Sequence, residues 1–199
     1  MTDHDPKADL QAYLRDAREA LLWKLDGLPE YAVRRPMTPT GTNLLGLVKH
    51  LAGAEALYFG AVHGRFGAVH GRPFAGPRLW ITGDAEPNED LWARADETRE
   101  DVVGRYRRAC AHADETIAAL SLDAVGRVPG DGRTELTLHH SLIHMIAETQ
   151  RHAGHADIVR ELIDGTAGQR RGGLNTPDQD ASWWAAHRER VERAAREAG

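Results

Sequence analysis

The chain has 199 residues, 41% of them hydrophobic and 28% charged, with a formal net charge of -5. These values fit one globular domain with a core of its own. They exclude the basic footprint of a nucleic-acid-binding protein, and no apolar run approaches the roughly 20 residues that span a bilayer.

The polar, acidic start MTDHDPKADL lacks the features of a signal peptide. The lone cysteine, Cys110, excludes an internal disulfide. A cytoplasmic protein is therefore expected. Only Lys7, Lys24 and Lys49 stand among the 25 basic residues, a bias of GC-rich codon usage rather than of recognition chemistry.

Helical periodicity dominates, and no convincing alternating strand is visible. A first helix is expected over about 7–27, with Leu10, Tyr13, Leu14, Ala17, Leu21 and Leu25 as its apolar stripe. Gly27, Leu28 and Pro29 stop it. The run YAVRRPMTPTGT reads as a loop, after which Thr42 or Asn43 can cap a second helix beginning LLGLVKHLAGAE. That helix runs into a tandem repeat, FGAVHGR at 59–65 and again at 66–72. Seven residues are about two turns, so a helical duplication keeps its face in register. His63 and His70 are then expected at the surface near the helix end.

Residues 73–87 read as a loop. A third helix is expected over about 88–120, its stripe including Leu91, Ala95, Val102, Tyr106, Ala109 and Ile117. SLDAVGRVPGDGRT reads as a loop, and a fourth helix is expected over about 136–163, stopped at Asp164-Gly165. TAGQRRGGLNTPDQDA has the composition of a mobile linker. A last, highly charged helix over about 180–197 carries Trp183 and Trp184, expected to pin it to the body. The sum is an all-α fold, an antiparallel four-helix bundle over 1–165. Residues 166–199 add a linker and a C-terminal helix packed on the same domain.

The fourth helix contains HMIAETQRHAGH, residues 144–155. With Glu148 at zero on a helical wheel, His152 falls near ~+40°, His144 near ~-40° and His155 near ~-20°, with Val159 and Leu162 further along the same face. Polar groups continuing a buried stripe need partners, because each one left unpaired costs on the order of 1–3 kcal/mol. Glu148 and His152, four residues apart, suit one divalent cation. His50 is the best third ligand, since Leu47, Ala54 and Leu57 share its face.

Two histidines and a glutamate leave an open position, a pattern commoner in catalytic than in structural sites. Zn, Ni, Fe and Mn all suit such donors, with Zn or Ni favoured. A di-iron site lacks its Glu-x-x-His motifs. His144 and His155 are the candidates for catalytic roles, orienting the ligands or lining the pocket. Arg151, beside the cluster, is the candidate for cofactor binding. Arg160 lies about 120° from Glu148 and is expected to face solvent or a partner helix.

The pairing of LLGLVKHLAGAE with HMIAETQRHAGHADIVRELIDG resembles the DinB-like superfamily, in its actinobacterial branch related to mycothiol-dependent maleylpyruvate isomerase. The resemblance covers most of 8–165. It implies a four-helix bundle holding one divalent metal through His50, Glu148 and His152. It also implies thiol-dependent chemistry, with mycothiol or a similar low-molecular-weight thiol meeting a small-molecule electrophile, and pairing into a homodimer. The isomerase's additional C-terminal domain has no counterpart in the 34 residues after Gly165. S-transfer is therefore the expected activity rather than isomerisation. A metal-assisted hydrolase and a non-catalytic metal-binding stress-response module are the other readings of the same residues.

Overall fold

A computed structural model describes residues 5–64, 86–128, 134–170 and 177–199. Among them, helices α1 (Pro6–Trp23), α2 (Glu30–Arg34), α3 (Leu44–Glu55), α4 (Arg99–Ala119), α5 (Leu138–Asp164) and α6 (Ala181–Ala198) carry almost all the regular structure. The long ones, α1, α3, α4 and α5, make an antiparallel bundle in which α3 packs on α4, α1 on α5, and α3 also meets α5. No helix among the described residues is long and apolar enough to cross a membrane.

The core follows the apolar spacing of the sequence. Leu14, Leu21, Leu45, Leu51, Phe59, Tyr106, Ile117, Leu142 and Met145 are all fully buried. Burying a side chain of this size stabilises by about 1.5–3 kcal/mol. Across this core Arg18 of α1 donates to both carboxylate oxygens of Glu55 at the end of α3, at 2.6 and 2.7 Å, and to Asp114 of α4 at 2.8 Å. Tyr13, expected in the α1 stripe, is exposed.

Several boundaries differ from the sequence expectation, each for a local reason. Residues 30–34 form a short helix inside the expected loop. Asn43, not Thr42, caps α3, its side chain accepting from the Gly46 N–H at 2.8 Å. Beyond Glu55 the chain continues as a π-helical turn, Ala56–Ala61, so the first FGAVHGR copy ends the helix instead of prolonging it. The second copy, with His70, lies outside the described residues. His63 is half-buried rather than at the surface, its Nε2 3.2 Å from the Ser141 hydroxyl of α5.

The third helix begins eleven residues later than expected. Asn88 sits in the left-handed region at φ 62° and leads into one 3-10 turn, Glu89–Leu91. Trp92 is extended, and α4 starts only after Thr98, whose capping box with Asp101 fixes its first residue. Within the expected 121–134 loop, β1 (Val125–Arg127) pairs antiparallel with β2 (Glu135–Thr137). This small hairpin is held to the end of the π turn by the Arg127 N–H donating to the Val62 carbonyl at 2.8 Å.

Gly165 ends α5 in the left-handed conformation, as its sequence indicated. The following segment is less free than its composition suggested. Trp23 donates to the Gln169 carbonyl, fully buried Lys24 pairs with Asp157 and donates to the Gly168 carbonyl, and Arg170 pairs with Asp16. Helix α6 buries none of its residues, and Trp183, Trp184 and His187 contact one another.

Candidate metal centre

Two helices bring the cluster together. Asn43 sets the start of α3 and so the heading of His50, two turns on. Helix α5 places Glu148 and His152 on adjacent turns. One ligand atom from each of the three residues lies within 4.8 Å of the others. His50 Nε2 stands 3.2 Å, and His152 Nε2 3.0 Å, from the same oxygen, Glu148 Oε1. The two imidazoles meet edge to face with centroids 4.8 Å apart.

The cluster sits at the rim of the core rather than on its midline. The buried residues of α5, among them Leu138, Leu142, Met145, Thr149, Ala153, Ala156 and Arg160, centre ~90° round the wheel from Glu148. Leu162, expected in the core on Glu148's side, is accordingly 64% exposed, whereas Val159 is buried. The side chains of His50, Glu148 and His152 are therefore only part-buried, at 20%, 28% and 13% exposed. That position lets a small molecule reach them.

The sequence gives no hint of a fourth member. Asp90, 4% exposed on the 3-10 turn, lies with Oδ2 2.7 Å from His50 Nδ1. With the ring proton on Nδ1 donated to Asp90, neutral His50 presents a lone pair from Nε2 toward the Glu148 carboxylate. His152 Nε2 approaches that oxygen as well. Imidazole and carboxylate groups that converge in this way suit a divalent metal.

Without an ion between them, the three side chains titrate as a hydrogen-bonded cluster. Burial depresses the His50 imidazole, but hydrogen bonding to Asp90 and Glu148 outweighs it and leaves the pKa raised. Burial opposes ionisation of Glu148, yet the hydrogen bonds from His50 and His152 hold its carboxyl below the usual range. Burial, and then the charge of His50, push His152 down.

The other expected site residues are spread around this centre. His155 is exposed, its Nδ1 3.4 Å from His152 Nδ1. His144 stacks on Tyr58 of the π-helical turn at 4.3 Å between centroids and 26° between planes. Burial lowers its pKa and raises that of Tyr58. Tyr58 was not singled out in the sequence; a π-helical turn, which often marks a functional site, has no sequence signature that could have flagged it. Arg151 is exposed. Arg160 is buried and turned to the end of α1, donating to the carbonyls of Lys24 and Asp26 at 2.8 Å each and to Asp164.

Cys110 is no part of the centre. It lies half-buried beside Glu55 and Tyr106 in the bundle, where burial and the Glu55 charge push its thiol far up.

No curated protein matches the chain. A family model described as mycothiol-S-transferase matches residues 9–165, a span that contains all of the bundle but the first three residues of α1 and all four members of the cluster. The chain belongs to the mycothiol-S-transferase family.

Proposed function

We propose that the protein is a metal-dependent thiol S-transferase, in which His50, Glu148 and His152 hold one divalent ion, zinc or nickel by donor type. The observation that carries this reading is the convergence of two imidazole nitrogens on one carboxylate oxygen at an accessible rim. Family membership supplies the thiol, mycothiol or a close equivalent. When bound, the cation favours thiolate over thiol by its charge.

The chain's own residues do the rest. His50 and His152 would hold the ion through ring nitrogens, and Glu148 supplies the negative charge. His144, kept neutral by burial, accepts the proton of the incoming thiol. The stacked Tyr58–His144 pair walls one side of the site. His155 steadies His152, and Arg151 offers a guanidinium at the rim to the body of the thiol. The sulfur then attacks the electrophile, a C–S bond forms, and the leaving group departs with its bonding pair. The nucleophile comes from outside, since Cys110 is no part of the cluster and lies half-buried beside Glu55 and Tyr106 of the bundle. The catalytic unit is residues 1–165, with 166–199 as linker and outer helix, and the protein works as a cytoplasmic homodimer, checked by sedimentation.

The test is mycothiol consumption with a model haloalkane or epoxide. Turnover is expected to need a divalent ion and to fall by on the order of 100-fold or more in His50→Ala. Equal rates with and without metal would overturn the reading. Ester or amide cleavage with no thiol present would favour a hydrolase instead. A marked drop in Tm on chelation, with no substrate turned over, would favour a non-catalytic metal-binding module.

A further inference from the structure

Asp90 reaches His50 by an indirect route. It sits 40 positions away in sequence, on a single 3-10 turn, yet it is nearly as buried as the core leucines. A lone turn cannot hold a carboxylate against an imidazole by itself, so the surrounding contacts must fix it.

They do so from three sides. The Leu91 carbonyl accepts from the Asn43 amide at 3.3 Å. Lys49, the residue before His50, donates to the Trp92 carbonyl at 3.0 Å and to Glu97 at 2.7 Å, and Glu97 also accepts from Arg105 of α4 and from the Arg94 N–H. Arg34 of α2 donates to the Arg94 carbonyl at 3.1 Å. The segment 89–97 is thus fastened to α2, α3 and α4 together. It lies flush on α3 because residue 46 has no side chain: a Cβ there would collide with the Leu91 carbonyl.

Resting on the metal-centre reading above, we infer that Asp90 is a positioning residue of that centre. Docking of 89–97 over Gly46 delivers its carboxylate to His50 Nδ1, fixes the tautomer and heading of the ring, and thereby sets how tightly the cluster takes up a divalent cation. A carboxylate on the far nitrogen of a ligating histidine orients the ring and raises its basicity as a donor. Here the carboxylate is on a separate segment, so the affinity depends on packing at Gly46, one helical turn before His50.

The test is titration of the full-length apo protein with cobalt(II), read by its visible absorption bands, for wild type, Asp90→Asn, Asp90→Ala and Gly46→Ala, with His50→Ala as the variant lacking a ligand. Thermal melts of the metal-free proteins establish that each is folded. Wild type is expected to bind one cobalt per chain. Asp90→Ala is expected to bind about 10–100-fold more weakly, with its bands shifted as the ring loses its fixed heading. Asp90→Asn keeps an acceptor oxygen and should fall between the two. Gly46→Ala should weaken binding in the same direction although it removes no polar group.

A merely structural Asp90 would lower the Tm of the apo protein while leaving cobalt affinity and band positions unchanged. Wild-type values in folded Asp90→Asn and Gly46→Ala would overturn the inference and leave the metal centre standing. A wild-type protein that binds no cobalt would remove the metal centre itself, and the role of Asp90 with it.

Discussion

Glu148 is the pivot of the cluster because one of its oxygens faces both imidazoles. Replacing it by Gln keeps shape and size but removes the charge that balances a divalent ion. Glu148→Gln is expected to lose metal affinity while staying folded, as read by calorimetric titration and a thermal melt of the apo form. Cys110→Ala is expected to leave thiol-dependent turnover unchanged, since its sulfur lies half-buried beside Glu55 and is no part of the cluster; a lost activity would mean that the nucleophile is internal. Glu148 and His152 were legible from their i, i+4 spacing and His50 as the histidine of the second helix, although the apolar stripe of α5 runs ~90° away from them. Asp90 was not, because nothing in PNEDLW is periodic and its partner is 40 residues away.

The helices were legible to within a turn wherever a cap or stop was written in the sequence, as at Asn43 and Gly165. The start of α4 was not: Leu91 and Ala95 fall at helical spacing with Val102 and imitate a longer stripe. The signal that decides the boundary is Thr98 with Asp101, each side chain bonding the other's N–H at 3.0 and 3.2 Å. Thr98→Ala is expected to cost about 1 kcal/mol, measured by denaturant unfolding. Between α1 and α3, Glu55→Ala leaves the buried Arg18 guanidinium with Asp114 as its carboxylate partner and should cost about 3 kcal/mol, a far larger loss than the surface pair Arg196–Glu192 could cause.

On the segment that carries Asp90, burial works against the Glu97 carboxyl, but Lys49 and the Arg94 N–H outweigh it and hold its pKa below the usual 4.5. Its folded pKa lies below its unfolded one, so its contribution is fully present above the unfolded value and is lost as pH falls through the depressed one. Unfolding free energy measured against pH should therefore show a steeper acid loss in wild type than in Glu97→Gln. Parallel curves would contradict the role assigned to that ion cluster.

Taken as one body, the molecule is a bundle whose family match stops at residue 165 but whose contacts do not. Residues 168–170 tie the chain back to α1 over Trp23 and Lys24. A chain ending at Arg170 is expected to keep the Tm of the full protein in the bundle's transition. One ending at Gly165 should melt lower, because the buried Lys24 ammonium loses its carbonyl partner. Composition alone hid this strap, since a Gly- and Arg-rich run reads as linker until its partners on another helix are known.

Two helices, one from each half of the bundle, bring three donors to a single point, and everything proposed about chemistry depends on a cation occupying it. Elemental analysis of the purified full-length protein, alongside His50→Ala, decides the matter. One zinc or nickel per chain in the native protein and none in the variant is the expected result. A native protein without stoichiometric metal, or a variant that retains it, would contradict the proposal.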